Sequence, residues 1–91
     1  MIKSFRSRSL SAFWHKGDAT GIRADLVKRV KLRLAALNAA RRPDGMNVPS
    51  WNLHKLRGKP TRYAVSVSGP WRITFEWEGE NAVRVDLEQY H

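Results

Sequence analysis

The second half of the chain alternates. "YAVSVS" (63–68) sets Tyr63, Val65 and Val67 to one side, "WRITFEWE" (71–78) does so with Trp71, Ile73, Phe75 and Trp77, and "VRVDLE" (83–88) with Val83, Val85 and Leu87. A period of two marks a half-buried strand. Ser68-Gly69-Pro70 and Glu78-Gly79-Glu80-Asn81 interrupt these runs with turn-forming residues, so the spacing predicts hairpins of an antiparallel sheet. The second face of that sheet would carry Arg72, Thr74 and Glu76 beside Arg84, Asp86 and Glu88, a solvated surface laced with cross-strand ion pairs. Trp71 and Trp77 are expected in the core.

In the first half the period changes. "IKSF" is extended in character and predicts a first strand, whereas Leu10, Phe13 and Trp14 recur at helical spacing and predict a brief helix that breaks at Gly17 and Gly21. The clearest helix runs over about 23–40. There Leu26, Val27, Val30, Leu34 and Leu37 fall in an apolar stripe roughly 100° wide, and Lys28, Arg29, Lys31 and Arg33 lie outside it. "RRPDGMNVPSWN", with Pro43, Gly45 and Pro49, reads as the loop that ends the helical half. The apolar face of the sheet needs the helical stripe to cover it. The expected fold is therefore α+β, with N-terminal helices packed on one face of a small antiparallel β-sheet, in a single domain over 1–91.

Composition narrows the classes open to such a fold. Ninety-one residues suffice for one core, and 42% hydrophobic with 27% charged residues describes a folded chain rather than a disordered one. No apolar run approaches a membrane span, and no secretion-signal core follows the basic start, so a cytoplasmic location is expected. The absence of cysteine excludes disulfides and thiolate metal sites, and three scattered histidines without carboxylates at ligand spacing predict no metal or other cofactor. The net charge of +9 resides in residues 1–42, where eleven Lys/Arg face Asp18 and Asp25, while residues 43–91 balance six against six. Such a field suits nucleic acid, and an acidic protein or an anionic membrane surface would answer it equally well. Lys28, Arg29, Lys31 and Arg33 read either as a solvated helix face or as a surface for RNA or a partner.

Two stretches carry candidate chemistry. "NLHKLRGK" brings His54, Lys55, Arg57 and Lys59 together ahead of the hairpins, and the chain stops on "QYH" behind an alternating run. Chain ends ordinarily fray. Tyr90 and His91 are thus either an accident of where the chain stops, or a stacking ring and a proton carrier that the strand pins in place. His15, beside Trp14 and Lys16, is assigned no role and is expected at the surface.

"LHKLRG", "YAVSVSGPWRITFEW" and a terminal "YH", after an opening "MIKSF" and a helix ending "LAALNAA", together resemble the HigB-like branch of the RelE/ParE toxin superfamily, the toxin halves of bacterial type II toxin–antitoxin modules. The resemblance covers essentially the whole chain in order. It implies the RelE-like microbial ribonuclease fold and a small basic toxin that enters the ribosomal A site and cuts mRNA there without a metal, which inhibits translation. It also implies a helix-turn-helix antitoxin as partner, in a toxin–antitoxin heterotetramer that binds operator DNA through the antitoxin, and no membrane. Position by position, His54 matches the family's first active-site histidine, Arg57 stands where many members have a lysine, Arg72 matches the arginine of "WRI", and Tyr90 and His91 match the terminal pair. Lys28, Arg29, Lys31, Arg33, Lys55 and Lys59 are the expected RNA contacts. Two departures matter: Gln89 replaces the common acid before Tyr-His, and arginine at 57 keeps the charge while changing the fork geometry.

The chemistry fits this set. Cleavage by 2′-OH attack on the adjacent phosphate needs a base, an acid and cations on the phosphoryl oxygens. Two histidines can fill the first two roles, in an order the sequence leaves open, and Arg57 with Arg72 the third. Tyr90 could stack a splayed base. The α-carboxylate of His91 should favour its imidazolium. Two rival readings share the composition. One is a gyrase-inhibiting toxin of the same fold, against which the two histidines speak, and the other is a nucleic-acid-binding module without catalysis.

Overall fold

The computed structural model describes residues 1–90; His91 lies outside the described residues. Helix α1, Arg8–Lys16, starts where the Ser7 hydroxyl accepts the Leu10 N–H at 3.1 Å and ends where Gly17 takes φ 71°, a left-handed cap that glycine adopts without a Cβ penalty. Leu10 is buried, and Phe13 and Trp14 pack against the core beside it. Helix α2, Val27–Ala39, continues from a 3₁₀ turn at Ala24–Leu26, so the predicted helix over 23–40 is this turn and α2 together. A second 3₁₀ turn, Pro43–Met46, sits in the predicted loop. No described helix is long and apolar enough to cross a membrane.

Four strands, β1 (His54–Lys55), β2 (Tyr63–Ser68), β3 (Trp71–Glu78) and β4 (Asn81–Gln89), form one antiparallel sheet in the order β1-β2-β3-β4. The two-residue turn between β3 and β4 places Gly79 at φ 60°, the positive value that such hairpin turns require at their first central residue. Leu10, Leu26, Val30, Leu34, Leu37 and Met46 cover Val65, Ile73, Phe75 and Val85 on one face of the sheet. This is the predicted α+β packing. Tyr63 stacks on Phe75 across the β2–β3 pair with ring centroids 5.7 Å apart. Trp71 and Trp77 are only partly buried at the margin of this core.

Three expectations change. "IKSF" does not form a regular strand: Ile2 pairs with Ala82 and Phe5 with Val85 as isolated parallel bridges along β4. The reason lies in β4, where the register slips opposite Phe75 and Arg84 adopts φ 49°, so that the Ser4 hydroxyl rather than a carbonyl accepts the Arg84 N–H at 2.8 Å. The same bulge moves Val83 off the core face. It stands opposite Glu76, while Ala82 takes the core position opposite Trp77. The second face of the sheet is also not open at its centre, because Thr74 and Glu76 are buried there.

What closes that face is a cage of arginines. The Glu76 side chain is only 4% exposed and accepts hydrogen bonds from Arg62 Nη1 at 2.8 Å and Arg84 Nε at 2.6 Å, with Arg6 Nη2 at 3.6 Å. Arg62 also donates to the Thr74 hydroxyl at 2.8 Å and to the Arg84 carbonyl at 3.1 Å. A buried carboxylate is tolerable only when paired in this manner. The cage therefore forms the floor of the exposed side of the sheet.

Candidate active site

His54 opens β1 at the edge of the sheet, and Arg72 lies in β3, two strands away. Antiparallel pairing brings them together, since His54 is opposite Ala64 and Ser66 is opposite Arg72. The imidazole Nε2 lies 3.0 Å from Arg72 Nη1, and Nδ1 lies 2.9 Å from the Asn52 carbonyl. These partners assign the ring. A carbonyl can only accept, so Nδ1 carries the hydrogen, and a guanidinium can only donate, so Nε2 offers its lone pair. With Nδ1 on the Asn52 carbonyl, it is Nε2 of His54 that is turned into the site.

Tyr90 follows the last residue of β4. Its backbone N–H donates to the Pro70 carbonyl at 2.7 Å, which carries the β3–β4 pairing past Gln89. The residue remains 58% exposed, yet the Arg72 guanidinium carbon sits 3.4 Å from the centre of its ring. A planar cation on an aromatic face is held both electrostatically and by stacking. Arg72 is thus fixed between a tyrosine and a histidine. Leu56, Thr74, Glu88 and Gln89 complete a small open pocket with Arg72 and Tyr90. Within it the Thr74 hydroxyl donates to the Glu88 carboxylate, and the same hydroxyl accepts from Arg62.

The remaining expected residues divide. Lys55, Arg57 and Lys59 are exposed, and Arg57 makes no hydrogen bond or ion pair among the described residues. Lys28, Arg29 and Lys31 are exposed along α2. Arg33 is a correction: it is 7% exposed, its Nε donates to the Ser66 carbonyl at 2.6 Å, its Nη1 donates to the Arg29 carbonyl at 3.1 Å, and its guanidinium lies 4.6 Å from the centre of the Trp51 ring. Burial, and behind it the charge of Arg29, lower the Arg33 pKa from its ordinary value. Seven residues after Leu26, Arg33 lies only ~20° around an ideal helix from that core position. It borders the apolar stripe and cannot share a surface with Lys28 and Lys31. His91, expected to be catalytic, lies outside the described residues.

Arg62 is the residue that the sequence reading missed. A signal existed: extending the Tyr63↔Phe75 register by one places Arg62 directly across from Glu76, and a lone acid between Phe75 and Trp77 on a strand needs a cation. Among the described residues no three His, Cys, Asp or Glu side chains gather as a metal-binding group.

Two comparisons relate the chain to known proteins. Residues 3–91 match the family model described as the RelE-like toxin of type II toxin–antitoxin system HigB. The chain is also 35% identical over 92 residues to the endoribonuclease HigB of Proteus vulgaris, with both chains covered completely. With a family model over nearly the whole chain and a relative covered end to end, the chain belongs to the HigB-like toxins of type II toxin–antitoxin systems.

Proposed function

We propose that this toxin is an endoribonuclease that cuts mRNA in the ribosomal A site and so stops translation. The observation that carries the reading is His54 Nε2 held 3.0 Å from Arg72 Nη1, with Arg72 itself stacked on Tyr90. An incoming phosphate draws Arg72 away, because a charge-assisted, bidentate contact to phosphate is stronger than one hydrogen bond to a neutral ring. Nε2 is then free to take the 2′-OH proton as the 2′-oxygen attacks the adjacent phosphorus. The P–O5′ bond breaks, the 5′-oxygen receives a proton from a general acid, and a 2′,3′-cyclic phosphate and a 5′-hydroxyl result. His91 is the proposed acid, on the strength of its place in the sequence. Arg72 bears on the phosphoryl oxygens, Arg57 is the second cation proposed there from the family resemblance, and Tyr90 stacks a base beside the cut.

Phosphate contacts from Lys28, Arg29, Lys31, Lys55 and Lys59 would hold the toxin on ribosomal RNA without taking part in the chemistry. Type II membership brings an antitoxin partner. In our reading that antitoxin is a helix-turn-helix protein, the complex is a heterotetramer that holds operator DNA, and the toxin acts in the cytoplasm. Expression without the antitoxin should arrest growth and leave truncated transcripts whose ends map within translated codons. His54→Ala should lower the cleavage rate by about 10²–10⁴, the usual share of a general base. Equally fast cutting of ribosome-free RNA would refute the ribosomal step, and inhibited DNA supercoiling with intact mRNA would favour the gyrase-directed alternative.

A further inference from the structure

The segment that delivers His54 to the site is held in an unusual path. Ser50 and Asn52 both occupy the left-handed region, at φ 75° and 51°, where side chains other than glycine are disfavoured and persist only when their surroundings over-determine them. Between them, Trp51 is fastened from three sides. Its N–H donates to the Val48 carbonyl at 3.0 Å, its carbonyl accepts the Ser66 N–H at 2.7 Å, and its ring carries the buried Arg33 guanidinium. Arg33 reaches the same β2 residue from the helix side, donating from Nε to the Ser66 carbonyl.

This lock has a geometric effect on the site. His54 pairs with Ala64, and Leu56 donates to the Arg62 carbonyl in the same register. Continued regularly, that register would set Asn52 opposite Ser66. Trp51 occupies that place instead, so the edge segment holds one residue too many, and the excess is absorbed as a bulge at Asn52. The Asn52 carbonyl is thereby released from sheet pairing and turned to His54 Nδ1. We infer that Arg33 and Trp51 are positioning residues: by holding Trp51 opposite Ser66 they keep the Asn52 carbonyl on Nδ1, and so keep the Nε2 lone pair of His54 in the site. The inference rests on the reading of His54 as the general base. It also accounts for a buried cation with no ion pair among the described residues. Arg33 gives its hydrogen bonds to two carbonyls and its face to an indole, all of them fixed parts of α2, β2 and the His54 segment.

Without the lock, the segment can relax to the regular register, in which Asn52 pairs with Ser66 and Nδ1 loses its acceptor. Two measurements on the full-length toxin test this. The first is the tautomer of His54 from its ring ¹⁵N shifts, read without any substrate, and the second is single-turnover cleavage on programmed ribosomes over a range of pH. Arg33→Met should retain ribosome binding, lose the Nδ1–H signature and cleave up to about a hundredfold more slowly, the scale of an ångström-level misplacement. Trp51→Ala should do the same, and Trp51→Phe, which keeps a ring under Arg33, should restore most of both. Asn52→Val acts independently of the core, since a β-branched residue resists the left-handed conformation at this exposed position, and it should also lose the signature. Wild-type ring shifts and rate in Asn52→Val, or in a folded Arg33→Met, would overturn the inference. Full activity in His54→Ala would instead overturn the reading of the base, whatever the tautomer shows.

Discussion

Replacing Glu76 with glutamine should cost about 3 kcal/mol of stability near neutral pH, and the cost should vanish in acid. Removing one member of a buried ion pair typically costs about 3–5 kcal/mol, because its partner stays buried and uncompensated. Arg62, with a side chain 11% exposed, is such a partner, whereas Arg84 and Arg6, at 43% and 46%, reach water. Pairs that reach water add little because solvent screens them, which sets the total at the lower end of the buried range. For a domain of this size each kcal/mol shifts the melting temperature by about 4–8 °C, so a fall of about 12–24 °C is expected. Burial pushes the Glu76 carboxyl up, but hydrogen bonds from Arg84 and Arg62, together with their charges, outweigh it and hold the group below the ordinary 4.5. A depressed folded-state pKa contributes stability that is complete above the unfolded value and is lost as pH falls through the folded one. Thermal melts of both proteins from pH 7 downward should therefore show a constant gap that closes below 4.5. A gap under about 1 kcal/mol at pH 7, the size of a surface pair, would refute the reasoning, and so would a gap that persists until acid unfolding.

Three further outcomes follow from the site. Lys28→Glu with Lys31→Glu should weaken ribosome binding in a salt-dependent manner and leave melting nearly unchanged, whereas Arg33→Glu should lower the melting temperature, because it places a carboxylate among backbone carbonyls; binding and melting curves of the two variants check the division. Deleting Tyr90 and His91 should cut ribosomal cleavage at least about a hundredfold, on the scale of a lost acid–base group, with little change in melting, since the Tyr90 side chain is mostly exposed. Gln89→Asp, which places a carboxylate at the pocket wall beside Tyr90, should raise cleavage modestly and shift its pH optimum, because a nearby negative charge favours a protonated ring; superimposable pH–rate profiles would remove an acid at this position from the mechanism.

The elements of this protein were written locally. Alternation in "YAVSVS" and "WRITFEWE", the helical spacing of Val30, Leu34 and Leu37, and the turn at Gly79 each depend on neighbours within a few residues, and each was legible before the fold was known. His54, Arg72 and Tyr90 were legible because their spacing matched a family. Their contact was not. The 3.0 Å approach of His54 to Arg72 depends on two strand pairings, and the His54 tautomer depends on an extra residue at Asn52 that no periodicity announces. The misplacements have the same origin. A bulge at Arg84 reverses the face of Val83, and a position ~20° from the core stripe becomes buried or exposed according to whether a partner such as Trp51 and the Ser66 carbonyl is there to receive its charge. Local sequence determines which segments extend and which coil, since propensity and amphipathic period act over single turns. Register, bulges and the partners of buried charges are decided by competition among whole elements, and only the packed tertiary structure holds that answer.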